Sequence, residues 1–223
     1  MGVPANIPAL MLATRRFPEV VAETSSSDGN GFSGVTSHNV SLPSGIQAGD
    51  LLIVVFTTVA LTVPGTHGFP AGWSTIVTGS NGTARLSIAW GIAGGGEASV
   101  TVTSSQSANS AHTAYRITGA ADPLVRAPES SAIVTGNSNA PDPAGLVPTG
   151  GRDNFLWLTA TGGKAINPYA TPNGYANILQ NSFTGVSVAS ARRTANVATE
   201  DPGPFAATGS DNWIAATVAV RPR

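Results

Sequence analysis

The chain is predicted to be all-β: an antiparallel β-sandwich, jelly-roll or Ig-like, built from an internal duplication of about 100 residues. Three observations predict it. Apolar residues alternate with polar ones at period two in segment after segment, the pattern of half-buried strands. Turn residues punctuate these segments, with 26 Gly and 16 Pro in 223 residues. Finally, four sequence blocks return in the same order about 103 residues later. Between Phe17 and Arg223 no 3.6-residue periodicity competes with this reading.

Taken in order, the chain opens with Met1–Arg16, read as an N-terminal arm with one or two helical turns near Pro8–Arg15 that Asn6 can cap. The first repeat is expected over 17–120. It contains "PEVVAETSSS" (Pro18–Ser27) and "GDLLIVVF" (Gly49–Phe56), whose unbroken apolar run fits a central strand covered on both faces. "PAGWSTI" (Pro70–Ile76) follows, then "RLSIAWGI" (Arg85–Ile92), which turns Leu86, Ile88, Trp90 and Ile92 one way. "ASVTVTS" (Ala98–Ser104) aligns Val100 with Val102, and "SANSAHTAYRI" (Ser107–Ile117) ends the unit. "GSNG", "GGGE" and, later, "DPGP" supply turns.

The second repeat, over 121–223, restates these blocks as "PLVRAPESSA", "DNFLWLTA" (Asp153–Ala160), "PNGYANI" (Pro172–Ile178) and "SDNWIAATVAV" (Ser210–Val220). Val186 with Val188, and Ile214, Ala216, Val218 and Val220, each share a face. Repetition at a fixed period marks a duplicated structural unit. The twice-written Pro-x-Gly-aromatic stretch is expected to form a tight corner. It should deliver Trp73 and Tyr175 into the core as equivalent plugs, in preference to displaying them for ligand stacking. No linker separates the copies, so one compact sandwich of a dozen or so strands is favoured over two tandem Ig-like domains.

Composition limits the function. Charged residues are 10% of the chain, against roughly 25% in ordinary globular domains, yet 41% is hydrophobic, enough to bury a core. Such a surface suits a permanent assembly or a carbohydrate-binding module. The net charge of −1 argues against nucleic-acid binding. Cys is absent, which excludes disulfides and thiolate metal sites. The run "IPALMLA" lacks the order of a signal peptide, and no stretch has the length of a membrane span, so a soluble protein is expected.

Chemistry-bearing patterns are weak. "ATGGKAI" around Lys164 fails the phosphate-loop pattern at Leu158 and Ala165. His38, His67 and His112 are scattered in sequence, and the strand phase of His112 predicts a surface imidazole. Asp50 and Asp153 stand at equivalent places before buried strands and read as turn caps. "DGNG" (Asp28–Gly31) reads as a turn, since the remaining ligands of a calcium loop are missing. The pairs Arg15-Arg16 and Arg192-Arg193 are read as solvated or structural. No catalytic, cofactor or metal residues are assigned, and the chain is expected not to be an enzyme.

"LPSGIQAGDLLIVV", "FPAGWSTIVTGSNGTARLSIAWGIAGGGE" and "SAHTAYRITGA" together resemble a recurrent sequence type of tailed bacteriophages: small β-sandwich structural proteins of head or tail. The resemblance covers residues 18–120 well and the second copy more loosely. It implies a virion structural protein, a capsid decoration or cement protein binding across neighbouring shell subunits, located in the virion after assembly in the host cytoplasm. The implied partners are the major capsid protein or other virion proteins, with a homo-oligomer, commonly a trimer, as a further expectation. A receptor- or carbohydrate-binding domain of a tail or fibre is the alternative. The residues expected at the assembly interface are Ile7, Leu10, Met11, Leu12, Arg15 and Arg16 in the arm.

Overall fold

The computed structural model describes residues 16–164 and 168–223, and every regular element among them is a β-strand. The first seven are β1 (Glu19–Asp28), β2 (Val35–Ser41), β3 (Leu51–Ala60), β4 (His67–Gly68), β5 (Trp73–Asn81), β6 (Ala84–Ile92) and β7 (Ser99–Thr118). They form one antiparallel sheet in the order β1-β7-β3-β6-β5, with β2 and β4 also on β7. The next eight are β8 (Glu129–Ser130), β9 (Val134–Ser138), β10 (Asp153–Gly163), β11 (Tyr169–Ala170), β12 (Ala176–Phe183), β13 (Val186–Val197), β14 (Ala206–Ala207) and β15 (Asp211–Val220). The second sheet reads β8-β15-β10-β13-β12, with β9 also on β15; β11 and β14 pair separately. Strand for strand this is the order of the first sheet.

The two sheets meet across one apolar cluster. Ile53, Val55, Leu86, Ile88, Tyr115 and Ile117 come from the first; Leu156, Leu158, Val186, Val188, Ile214 and Val218 come from the second. Alternation explains the choice of residues, because these are the inward phase of each strand. Polar ties cross the same gap. The Tyr115 hydroxyl lies 2.5 Å from Ser190 Oγ, Arg192 pairs with Glu23 at 3.0 Å, and Asn81 Nδ2 donates to Gly136 O and Trp213 O. At Gly162 the sheets approach so closely that a Cβ would run into Thr57. The glycines of "ATGGKAI" therefore serve close packing.

The outward phase is covered as well, by a different device on each sheet. On the first sheet Leu52, Val54 and Phe56 meet Val40, Leu42, Ile46, Val100 and Val102. β7 makes this possible by turning a corner. Between the pairs Val35–Ala108 and Ser37–Thr103, β2 uses two steps and β7 five. The leading part of β7 thus leaves the sheet and, with β2 and β4, covers its outer face. On the second sheet Phe155 and Trp157 pack with Leu146, Tyr169, Tyr175 and Phe205, supplied by loops and the β11–β14 pair.

Two expectations need correction. The Pro-x-Gly-aromatic corners are indeed equivalent: Trp73 N donates to Pro70 O and Tyr175 N to Pro172 O, both at 3.1 Å. Gly72 and Gly174 adopt φ of 87° and 78°, open to glycine at no steric cost. Tyr175 is buried in a core cluster as expected, but Trp73 is only half-buried, and neither ring lies between the sheets. Half-buried Trp73 stacks beside Phe69 in the first outer cluster, and Tyr175 joins the second. The offset of 103 is not kept either. Asp50 pairs with Arg116, and its counterpart Asp153 faces Arg221. The aspartates are 103 residues apart and the arginines 105. A two-residue slip preserves the buried phase, which a one-residue slip would reverse.

Candidate functional site

Folding collects the three histidines that the sequence scatters. Phe56 projects outward from β3, and its ring lies 5.3 Å from His38 on β2, 4.7 Å from His67 on β4 and 5.8 Å from His112 on β7. His112 is 1% exposed, so the surface imidazole expected from its phase is wrong. The phase assignment was right, but the outer face it points to is roofed. A usable signal existed in the sequence. "LLIVVF" requires cover on both faces, so the outward positions of its neighbour strands are also interior, and His38 shares its phase with buried Val40.

Each imidazole is held by hydroxyls. The Ser104 hydroxyl donates to Gln106 O at 2.7 Å, so His38 Nε2, 3.0 Å away, donates to Ser104. His67 bonds Ser87 Oγ through Nδ1 and Thr58 Oγ1 through Nε2, both at 2.8 Å. Ser26 Oγ accepts from Ser41 N and lies 2.6 Å from His112 Nδ1. His38 Nδ1 and His112 Nε2 are buried and have no hydrogen-bond partner. Burial holds all three rings below the usual imidazole range: His67 down to about 3, helped by the positive charge of Arg85, and His112 down to about 4. His38 is lowered by burial too, against an opposing pull from Asp28. The rings are therefore neutral at pH 7. Among the described residues no group of His, Cys, Asp or Glu is placed to hold a metal ion. No carboxylate bonds an imidazole here, so the base–orienter pair of a hydrolytic triad is missing from this cluster.

The second feature is the end of the molecule where β3 and β10 begin and β7 and β15 finish. Two open clefts lie there. One, of about 680 Å³, is lined by Val125, Arg126, Glu129, Thr149, Arg152 and Arg221. Arg221 is 8% exposed, bonds Glu129 at 3.0 Å and stacks over Phe155 at 4.9 Å. The other, of about 600 Å³, lies between Gly49–Leu51 and Gly119–Leu124. Large apolar side chains stand in the open around them: Phe17, Ile92, Leu124 and Val125, with Val147 in the loop that supplies Thr149. Leu124 and Val125 are 77% and 78% exposed.

Of the interface residues expected from sequence, Ile7, Leu10, Met11, Leu12 and Arg15 lie outside the described residues, as does the Pro8–Arg15 helical turn. Arg16 is exposed, and the chain leaves it through Phe17 and Pro18, which pass beside Gly119 at the rim of the second cleft. The other motifs are structural. Asp50 accepts from Gln47 N at 2.8 Å, the cap expected of it, and adds the Arg116 ion pair that was not foreseen. Asp28 of "DGNG" accepts from Gly29 N and Asn39 N. Arg192 and Arg193 are tied to Glu23 and Glu200. No helix among the described residues is long and apolar enough to cross a membrane. No protein family, curated protein or solved structure matches the chain.

Proposed function

We propose that this chain is a non-enzymatic structural protein of a tailed-bacteriophage virion, an internally duplicated β-sandwich that binds across neighbouring capsid subunits as a decoration or cement protein. The observation that carries the reading is the apolar end. A protein with 10% charged residues leaves Leu124, Val125 and Val147 at least 70% exposed beside two clefts. The described chain begins at that same end, at Arg16. Exposed apolar groups gathered in one place mark interaction surfaces. Ile7, Leu10, Met11 and Leu12 extend that apolar character into the arm, and each contributes on the order of 1.5–3 kcal/mol if fully buried on a partner. Arg15 and Arg16 then set orientation more than affinity.

The duplication is supported by the matching strand orders, the twin Pro–aromatic corners and the twin Asp–Arg pairs. The alternative, a tail or fibre domain that stacks sugars on Trp73 and Tyr175, has less support, because both rings are packed into outer clusters. Electron microscopy of particles assembled with and without the chain tests the proposal. Added density for a 22.4 kDa two-sheet protein on the shell is expected. A chain starting at Phe17 should keep its β circular dichroism and cooperative melting and lose attachment. Normal attachment of that shortened chain rejects the arm as a clamp. Density confined to the tail, with binding on a glycan array, favours the fibre alternative.

A further inference from the structure

We propose that the flap made by β2, β4 and the leading part of β7 is an acid-operated latch: protonation of His38, His67 and His112 around Phe56 releases it from the first sheet while the second sheet stays closed. This goes beyond the structural role and does not depend on it. The three imidazoles come from the three strands that form or anchor the flap, and all converge on one ring of the sheet beneath.

At His38 and His112 a second proton would find no acceptor. His38 already donates through Nε2, and a proton on Nδ1 would be buried without an acceptor. At His112 the Nδ1 partner, Ser26, already accepts from Ser41 N, while Nε2 has no partner, so an imidazolium there leaves a buried donor unmet. At His67 both hydroxyls can accept, since Thr78 donates to Leu86 O and Ser87 therefore donates to Thr78; what opposes a second proton there is burial and the positive charge of Arg85. Buried polar groups without partners are costly, and charged ones more so.

The charged groups that bear on the cluster do not offset this. From β1, Asp28 favours the protonated forms of His38 and His112, but its oxygens already accept from Gly29 N and Asn39 N. From β6, Arg85 opposes protonation of His67. β3 brings the Phe56 ring and the Thr58 hydroxyl to the imidazoles, β6 brings Ser87, which Thr78 of β5 holds, and the corner of β7 brings Ser104. The second sheet, with the loops around it, holds no histidine at all: the three lie at positions 38, 67 and 112. It is an internal control on the same chain.

The sign follows from linkage. Above pH 6.5 the rings are neutral in both closed and open states, and closure keeps its full stability. Below 6.5 the open state binds protons that the closed state refuses, so closure weakens as pH falls toward the closed-state values of about 3 and 4. From pH 7 to pH 5 each such imidazole favours opening about 20-fold, and His67 with His112 together favour it several hundredfold. Opening uncovers Val54, Phe56, Val100 and Val102, a fresh apolar face.

Amide hydrogen exchange of the full chain at pH 7 and pH 5, corrected for the intrinsic pH effect, tests this. Opening in Val35–Ser41 and at His67–Gly68 is expected to rise several hundredfold, while the β10–β15 ladder changes less than about threefold. An equal change in both sheets, or none in the flap, overturns the latch. Imidazole proton shifts followed by NMR give the second readout. His67 and His112 should stay neutral in the closed state at pH 5.5, and titration of either near 6.5 with exchange unchanged also overturns it. His67→Gln should remove about 20-fold of the acid effect; if that variant does not fold, the wild-type exchange and titration decide.

Discussion

The two sheets share one strand order, yet their outer faces are finished with different chemistry. Over the first lies an aliphatic roof into which three imidazoles and their hydroxyl partners are built around Phe56. Over the second lies an aromatic and aliphatic plug of Phe155, Trp157, Tyr169, Tyr175 and Phe205. The inner faces, by contrast, are alike and close on each other. The backbone order therefore tolerates either roof, provided the outward phase of the central strand is kept from water. What differs is the response to conditions: a roof of titratable rings depends on pH, and a roof of phenyl and indole does not.

The largest test of this contrast removes the central ring of each roof. Trp157→Ala is expected to cost about 3–5 kcal/mol, as for other buried aromatic truncations, and equally at pH 7 and pH 5. Phe56→Ala should cost a similar amount at pH 7. Its cost should shrink at pH 5, where the wild-type roof is already weakened and the cavity lets water reach the imidazoles. Denaturant melts at the two pH values read both numbers. Identical pH dependence for the two variants would remove the distinction between the roofs.

A smaller effect separates the twin ion pairs. Arg221 is 8% exposed and faces both Glu129 and Asp153, whereas the Arg116 side chain is 18% exposed and faces Asp50. Removing one partner of a buried pair leaves a charge uncompensated, at a cost of roughly 3–5 kcal/mol. Arg221→Met should lie near about 3 kcal/mol and Arg116→Met clearly below it, measured by the same melts. The smallest effect should be symmetric. Gly72→Ala and Gly174→Ala each force a side chain into positive φ in the same kind of turn, and about 1 kcal/mol is expected for each. Unequal losses would mean that the two corners are less alike than their hydrogen bonds.

The legible part of the molecule was the part written in period two. Leu86 with Ile88, Val186 with Val188, and Ile214 with Ala216, Val218 and Val220 all entered the core between the sheets on the face that alternation assigned. "LLIVVF" and "FLWL" were buried on both sides, as unbroken apolar runs require. The corners at Pro70–Trp73 and Pro172–Tyr175 followed from Gly and its tolerance of positive φ. The clustered histidines were not legible in the same way. His38, His67 and His112 lie on three strands whose meeting depends on where β7 turns, and no local pattern encodes that corner. The slip from 103 to 105 escaped for a related reason: strand alignment by apolar phase cannot tell a register from one two residues away.

By itself, then, the sequence determined the all-β class of fold, the inward residues of most strands and the turns between them, because these depend on short-range periodicity and backbone sterics. The tertiary structure decided how the two sheets close on a common core and that Asp50 and Asp153 meet arginines. It also decided that three neutral imidazoles gather beneath a flap and that Leu124, Val125 and Val147 stand exposed beside two clefts. Those are contacts between residues tens of positions apart. They arise from register, strand order and the bend in β7, quantities that emerge only when whole sheets pack.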